Sequence, residues 1–266
     1  MNLKGICQQV IAICQAVGQF IRQEYQNFDK NQTEYKGAND LVSYVDKTAE
    51  RMLVEQLAQL LPQAGFITEE NPDNKQLTDK EFHWIIDPLD GTTNFIHQIP
   101  IFSISVGLLQ GEEVVAGVVL SVMQNEVFYA WKGGGAFLNG RAIQVSSSQE
   151  LKTSLIATGF PYKYKGQLPA HLRILGEIMP QTRGLRRLGS AAMDLAYTAC
   201  GRFEAYFEYN LQPWDIAAGI LLVREAGGIA TNFAHQENNL LFTGEILAAN
   251  PTIHALLSPI ISQNFK

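Results

Sequence analysis

Between residues 101 and 145 the chain alternates apolar positions with small or polar ones, in runs from Ile101 to Leu109, Val114 to Leu120 and Val127 to Trp131. Turns at Gln110-Gly111-Glu112, Gln124-Asn125 and Lys132-Gly133-Gly134-Gly135 separate them. A period of two buries one face of a strand, whereas a helix needs apolar residues three and four apart. The segment therefore reads as an antiparallel meander. The three consecutive glycines suggest a phosphate cradle at first sight. No Gly-Lys-Ser/Thr follows, and the Gly-x-Gly-x-x-Gly spacing is missing, so they read as a plain hairpin turn.

The flanks have other periods. Ile6, Val10, Ile13, Val17, Phe20 and Ile21 mark one buried stripe of a helix over 2–26. Lys36-Gly37-Ala38-Asn39-Asp40 reads as a loop into a second helix, about 42–61, which stops before Pro62. Gly65-Phe66-Ile67-Thr68 reads as a strand delivering Glu69 and Glu70, and strand alternation lets only one of these face a shared site. The polar stretch Ser146-Ser147-Ser148-Gln149-Glu150 divides the chain into halves, 1–145 and 146–266. Beyond it, strands near 154–158, 204–208, 228–231 and 246–249 alternate with helices near 169–179, 190–200, 214–226 and 251–260. The expected class is α/β (α+β), with an antiparallel sheet in the first half, an α/β second half and a cleft between them.

Chemistry concentrates in Trp84-Ile85-Ile86-Asp87-Pro88-Leu89-Asp90-Gly91-Thr92-Thr93-Asn94-Phe95. An apolar strand ends there in two acids separated by a proline and released by a glycine. Pro88 alone would merely end a strand; here it also sets the angle between Asp87 and Asp90 and leaves the Leu89 carbonyl without a partner. Gly91-Thr92-Thr93-Asn94 then starts a short helix, whose first N–H groups lack intrahelical partners and suit a phosphate. Capping by Asp90 or Thr92 would explain one of these residues but not the set. One more acid stands in a comparable setting, Asp215 in Trp214-Asp215-Ile216-Ala217-Ala218-Gly219. The small residues after it let that helix end press against other backbone.

If Glu69, Asp87, Asp90 and Asp215 converge, each pair about 4 Å apart repels by roughly 4 kcal/mol at an effective dielectric near 20. Divalent cations or raised pKa values must relieve that repulsion. Oxygen-only donors favour Mg²⁺ or Mn²⁺. The five histidines are scattered without zinc spacing. A net charge of −6 argues against general nucleic-acid binding, leaving Arg183, Arg186 and Arg187 as a local basic cluster. Cys7, Cys14 and Cys200 make no disulfide framework, which fits a reducing cytoplasm, and Cys7 and Cys14 fall on one helix face. Polar residues interrupt the N-terminal helix, which lacks a cationic n-region and a continuous apolar h-region, so no signal peptide or membrane span is expected there.

These blocks resemble the inositol monophosphatase family, especially its bacterial branch. The match runs through Lys36-Gly37-Ala38-Asn39-Asp40-Leu41-Val42 to Asp46, Ile67-Thr68-Glu69-Glu70, Trp84 to Phe95, Gly189-Ser190-Ala191-Ala192, and Pro213-Trp214-Asp215 to Gly228. The resemblance implies a layered α-β-α-β-α sandwich, dependence on two to three Mg²⁺ ions with Mn²⁺ as a substitute, lithium sensitivity and a homodimer. It implies that Glu69, Asp87 and the Leu89 carbonyl hold one metal, that Asp87, Asp90 and Asp215 hold a second, and that Glu69 touches a third. Glu69 and Thr92 would orient the attacking water, Asp46 would bond the Thr92 hydroxyl, and the Gly91 and Thr92 N–H groups would grip phosphate. Asp90, the Gly189-Ser190-Ala191 turn, Glu208 and Asp215 would meet the hydroxyls of a phosphorylated polyol, with Arg186 reaching substrate from nearby. The loop between Lys36 and Asp46 is one residue shorter than in animal members and Pro213 precedes the Trp-Asp; both features resemble bacterial members, weaken the case for inositol selectivity and leave the chemistry untouched.

No Cys or His nucleophile sits in a suitable motif, so direct attack by metal-activated water is the natural route. The expected function is hydrolysis of myo-inositol monophosphate. The same chemistry on histidinol phosphate, fructose bisphosphate or a 3′-phosphonucleotide is the alternative, decided by loops around Tyr162-Lys163-Tyr164-Lys165 and 183–187. A different class, association with transcription or ribosomal machinery, rests on the arginine cluster.

Overall fold

The computed structural model describes residues 1–28, 33–37, 40–160 and 166–265. In chain order the elements are α1 (Leu3–Asn27), β1 (Thr33–Gly37), β2 (Asp40–Ser43), α2 (Tyr44–Leu60), β3 (Gly65–Thr68), β4 (Phe82–Asp90), α3 (Thr92–Ile96), β5 (Ser103–Gln110), β6 (Glu113–Ser121), β7 (Glu126–Trp131), β8 (Gly135–Leu138), β9 (Arg141–Ile143), β10 (Leu155–Thr158), α4 (Leu168–Ile178), β11 (Gly184–Arg186), α5 (Ala191–Ala199), β12 (Ala205–Tyr209), α6 (Pro213–Glu225), β13 (Ile229–Thr231), β14 (Glu245–Ala249) and α7 (Pro251–Asn264).

The expected meander is part of a seven-stranded sheet in which β3 to β9 are neighbours in sequence order. Only β3 and β4 run parallel; every later pair is antiparallel. The second sheet has order β11-β10-β12-β14-β13, with β10 parallel to both its neighbours and β14 antiparallel to both of its own. It is thus a mixed sheet. Five layers follow. Helices α1 and α2 cover one face of the large sheet, α5 and α6 pack between the two sheets, and α4 and α7 cover the far side. Three apolar clusters fill the gaps: one under α1 and α2, one around α5 and α6, and one beneath α4 and α7. Strands β3 to β9 precede residues 146–150 and β10 to β14 follow them, while α5 and α6, from beyond that stretch, pack on strands of the large sheet.

The middle layer sits close because small residues meet. Gly107 of β5 and Gly117 of β6 are paired across the ladder. A methyl on Gly107 would lie 3.0 Å from the Ala217 side chain, and one on Gly117 would lie 3.0 Å from the Ala218 Cα. Along α6, Gly219 admits Leu195 of α5, whose side chain would fall 2.4 Å from an added methyl. Small positions on both partners let α6 press Ala217 and Ala218 against β5 and β6, next to the strand that carries Asp87.

Two expectations are adjusted. Residues 36–40 were expected as a loop, but Lys36 and Gly37 end β1 and Asp40 begins β2, with Gly37 opposite Asp40 in an antiparallel hairpin; positions 38 and 39 lie outside the described residues. Helix α2 accordingly begins at Tyr44 rather than near 42. The glycine turn after β7 is a hairpin, as its residues indicate, and it is pinned from an unforeseen quarter. The Glu225 carboxylate at the end of α6 accepts from Gly133 N and Gly135 N, both at 2.8 Å. Bonds to a charged acceptor contribute about 1.5–3 kcal/mol. Glu225→Ala is therefore expected to lower unfolding free energy by about 1–3 kcal/mol, measured as a shifted urea midpoint at unchanged slope.

Cys7 and Cys14 are buried on the inner face of α1, and all three cysteines are free. Among the described residues, no helix is long and apolar enough to cross a membrane.

Candidate active site

Strand β3 ends at Thr68, paired with Ile86 on β4, so the next residue on each strand, Glu69 and Asp87, stand side by side. A side-chain hydrogen bond joins them. Glu69 lines a cleft and Glu70 does not; the Glu70 backbone N–H instead donates to Glu50 Oε2 at 2.7 Å. That is the split that strand alternation demands.

Asp87 and Asp90 pose a geometric problem, because strand residues three apart point to opposite faces. The chain solves it with a bulge. Asp87 pairs with Ser105 and Asp90 with Ser103, so three steps on β4 match two on β5. One extra residue rephases the strand and turns both carboxylates into the same cleft. Pro88, which has no N–H to leave stranded, sits inside that irregularity. The Leu89 N–H donates to Asp87 Oδ1 at 3.0 Å, fixing the first acid. The Leu89 carbonyl is not without a partner, as the sequence suggested: Thr92 Oγ1 lies 3.1 Å from it and 2.9 Å from Asp46 Oδ1. A single hydroxyl proton serves one of the two at a time. Asp46 itself is fully buried at the start of α2.

Gly91 follows with φ of 101°, in the left-handed region that favours glycine. A methyl there would also come within 3.0 Å of the Ile101 carbonyl. The backbone can turn at this point only because the side chain is missing. Gly91, Thr92 and Thr93 line the cleft beside the acids.

Asp215 enters from the middle layer as the third residue of α6. Its Oδ2 accepts from Gln212 N at 2.7 Å in a capping box, while the Trp214 carbonyl accepts from Ser105 Oγ at 3.3 Å. Asp90 is held more tightly: its Oδ2 accepts from Ser190 Oγ at 2.6 Å and Ala192 N at 2.7 Å. Ser190 is thereby committed to Asp90 and to capping α5, and its side chain is buried.

Gly159, Phe160, Arg187, Gly189, Ala191, Asp194 and Glu208 also line the cleft. Glu208 Oε2 accepts from Tyr206 Oη at 2.6 Å. Its carboxylate fills the space over Gly159, where a methyl would lie 1.9 Å from that oxygen. The structure does not bring Arg186 to the cleft. Arg186 ends β11, is exposed, and turns its guanidinium back to the Leu185 carbonyl at 2.9 Å. Alternation places its neighbour Arg187 at the cleft instead, with its guanidinium 5.9 Å from the Phe160 ring. Asp194 is the residue that sequence reasoning missed; Arg187 figures there only in the basic cluster and in the substrate-deciding loop 183–187. One signal was available for Asp194: it is the only charged residue in the otherwise apolar and small-residue helix Ala191–Ala199. The expected specificity loop 162–165 lies outside the described residues.

The electrostatics follow from packing acids together. Burial pushes Asp87 well above the carboxylate range, and Glu69, Asp90 and Asp215 push it further. Burial likewise raises Asp215, with Asp90 adding to it, and lifts Asp90 to about 6 against the pull of Ser190 and the α5 backbone. Burial lifts Glu208 to about 7. Among the described residues, no three His, Cys, Asp or Glu side chains are already drawn into a finished metal cage. The donor chemistry nevertheless fits a hard divalent ion: the Glu69, Asp87, Asp90 and Asp215 carboxylates line one cleft with Leu89, and a cation there would relieve the mutual repulsion that raises Asp87.

The inositol monophosphatase family model matches residues 3–265. This chain belongs to the inositol monophosphatase family. It is 44% identical over 237 residues to the Nus factor SuhB of Escherichia coli (strain K12), covering 89% of this chain and 88% of that protein. It is 41% identical over 246 residues to the inositol-1-monophosphatase of Rhizobium meliloti (strain 1021), covering 92% of each. The solved structure of an inositol monophosphatase from Anabaena (Nostoc) sp. PCC 7120 superposes with a TM-score of 0.87 at 35% identity, over 99% of this chain and 97% of that one.

Proposed function

We propose that this chain is an Mg²⁺-dependent phosphatase that hydrolyses phosphate monoesters of polyols, with myo-inositol monophosphate as its ester. The observation that carries this reading is the meeting of Glu69, Asp87, Asp90 and Asp215 around one cleft, beside the Gly91-Thr92 turn. Glu69, Asp87 and the Leu89 carbonyl would hold one ion, and Asp87, Asp90 and Asp215 a second, with Glu69 reaching a third. Bound there, Mg²⁺ or Mn²⁺ supplies a water of lowered pKa and neutralises charge on the ester oxygens.

The remaining work falls to the protein. With its proton given to Asp46, the Thr92 hydroxyl offers a lone pair that orients the attacking water, and Glu69 accepts that water's proton. Backbone N–H groups of Gly91 and Thr92 receive the phosphate oxygens. Asp90, Asp215, Glu208 and the Gly189-Ser190-Ala191 backbone face the alcohol. The name of the Rhizobium meliloti relative supports inositol phosphate as the ester. The test is a comparison of kcat/KM across myo-inositol 1-phosphate, histidinol phosphate, fructose 1,6-bisphosphate and a 3′-phosphonucleotide, with Mg²⁺ present. The inositol ester should lead; a lead by any of the others moves the substrate assignment.

A second reading has a specific support. Relatives named Nus factor SuhB are 44% identical, and Arg183 and Arg186 are exposed on and beside edge strand β11, away from the cleft. Under that reading, an Asp87→Asn variant without turnover still associates with the transcription apparatus.

A further inference from the structure

Helix α5 carries one acid on an apolar and small-residue surface, and that acid faces the cleft. Asp194 is 1% exposed, and its Oδ1 is buried without a hydrogen-bond partner. The nearby Thr198 hydroxyl does not serve it; that group donates to the Asp194 backbone carbonyl at 2.8 Å. A buried carboxyl left unpaired is costly, and folded proteins satisfy nearly all such groups. Asp194 lines the same cleft as Glu208 and Arg187, and both are close enough to act on its charge. Glu208 has a partner in Tyr206. Asp194 has none.

We propose that Asp194 is a specificity-determining residue that receives a hydroxyl of the substrate's alcohol, selecting phosphate esters of polyols over esters whose alcohol bears no further hydroxyl. The inference rests on the phosphatase reading above and adds the residue that reads the alcohol. A hydroxyl suits the position because it both donates and accepts, so it satisfies the carboxyl whether or not a proton is bound. A cation suits it less, since the Arg187 guanidinium already faces the same acids. A site that hydrogen-bonds a substrate hydroxyl rejects the analogue lacking it far more strongly than an apolar pocket rejects an extra group.

The experiment compares kcat/KM for myo-inositol 1-phosphate and p-nitrophenyl phosphate in the parent, Asp194→Asn and Asp194→Ala proteins. Alanine should lower the value for the inositol ester by about 10²-fold, and asparagine, which keeps the shape and a hydrogen-bonding head, by about 10-fold. The nitrophenyl ester should change by less than about 3-fold in both variants. Equal losses on the two esters, or none on either, overturn the proposal. The near-isosteric Asn variant guards against misfolding, and its melting curve must be cooperative. Should the parent hydrolyse neither ester, the phosphatase reading falls, and Asp194 is then judged by binding. Thermal stabilisation by myo-inositol, seen in the parent and lost in Asp194→Asn, supports it; an equal shift in both, or none in either, overturns it.

Discussion

Asp87→Asn is expected to lower kcat/KM for the preferred ester by at least about 10³-fold while leaving the fold intact. Asp87 stands at the junction of both proposed metal positions, so an amide there removes an anionic donor from each. The local structure has little reason to change. An amide oxygen still accepts from the Leu89 N–H, which lies 3.0 Å from Asp87 Oδ1. The substitution also relieves the repulsion that lifts Asp87 well above the carboxylate range. In metal-free buffer at pH 8, the variant should therefore melt at or above the temperature of the parent. Phosphate release and a melting curve, recorded on one preparation, check both halves. A variant that keeps its turnover with Mg²⁺ bound would refute the ligand assignment.

The second large effect is on stability against pH. Asp87, Asp194 and Asp215 are raised well above the carboxylate range, Asp90 to about 6 and Glu208 to about 7, in each case chiefly by burial. A carboxyl whose pKa is higher in the fold than in the unfolded chain binds its proton more tightly when folded. Its contribution is complete below the unfolded value, near 4, and disappears as pH rises through the folded value. The metal-free protein should thus weaken between pH 5.5 and pH 8, with Asp90 losing about 1 kcal/mol and Glu208 about 2 kcal/mol over that window. Mg²⁺ at about 100 times its dissociation constant returns about 2.7 kcal/mol per site. A domain of this size shifts by about 2–4 °C per kcal/mol, so Mg²⁺ should raise the melting temperature by about 5 °C or more at pH 8. At pH 5.5, where protons already occupy the acids, the rise should be much smaller. Equal rises at both values, or a metal-free protein sturdier at pH 8, would contradict this electrostatic description.

Much of this arrangement is legible in the chain because it depends on local rules. The stripe of Ile6, Val10, Val17 and Ile21 gives α1, and the alternating runs after Ile101 give β5 to β7. Asp87, Pro88 and Asp90 announce a strand end built for chemistry. What stayed hidden depends on register and on distant packing. Strand β11 has only Gly184, Leu185 and Arg186, too few residues for a period to show, and it exists because β10 pairs beside it. The same three-residue strand decides that Arg187, not Arg186, reaches the cleft. The bulge that turns Asp87 and Asp90 to one side is visible only in their pairing with Ser105 and Ser103. The Leu89 carbonyl, which looked unpartnered beside Pro88, meets the Thr92 hydroxyl because the Gly91 turn folds the chain back on itself.

A crystal soaked in Mn²⁺ at pH 8 tests the central claim most directly, through an anomalous difference map. The account predicts at least two peaks between the side chains of Glu69, Asp87, Asp90 and Asp215, each within about 2.0–2.3 Å of carboxylate oxygen. A featureless cleft at saturating metal, or peaks only at other surfaces, would contradict it.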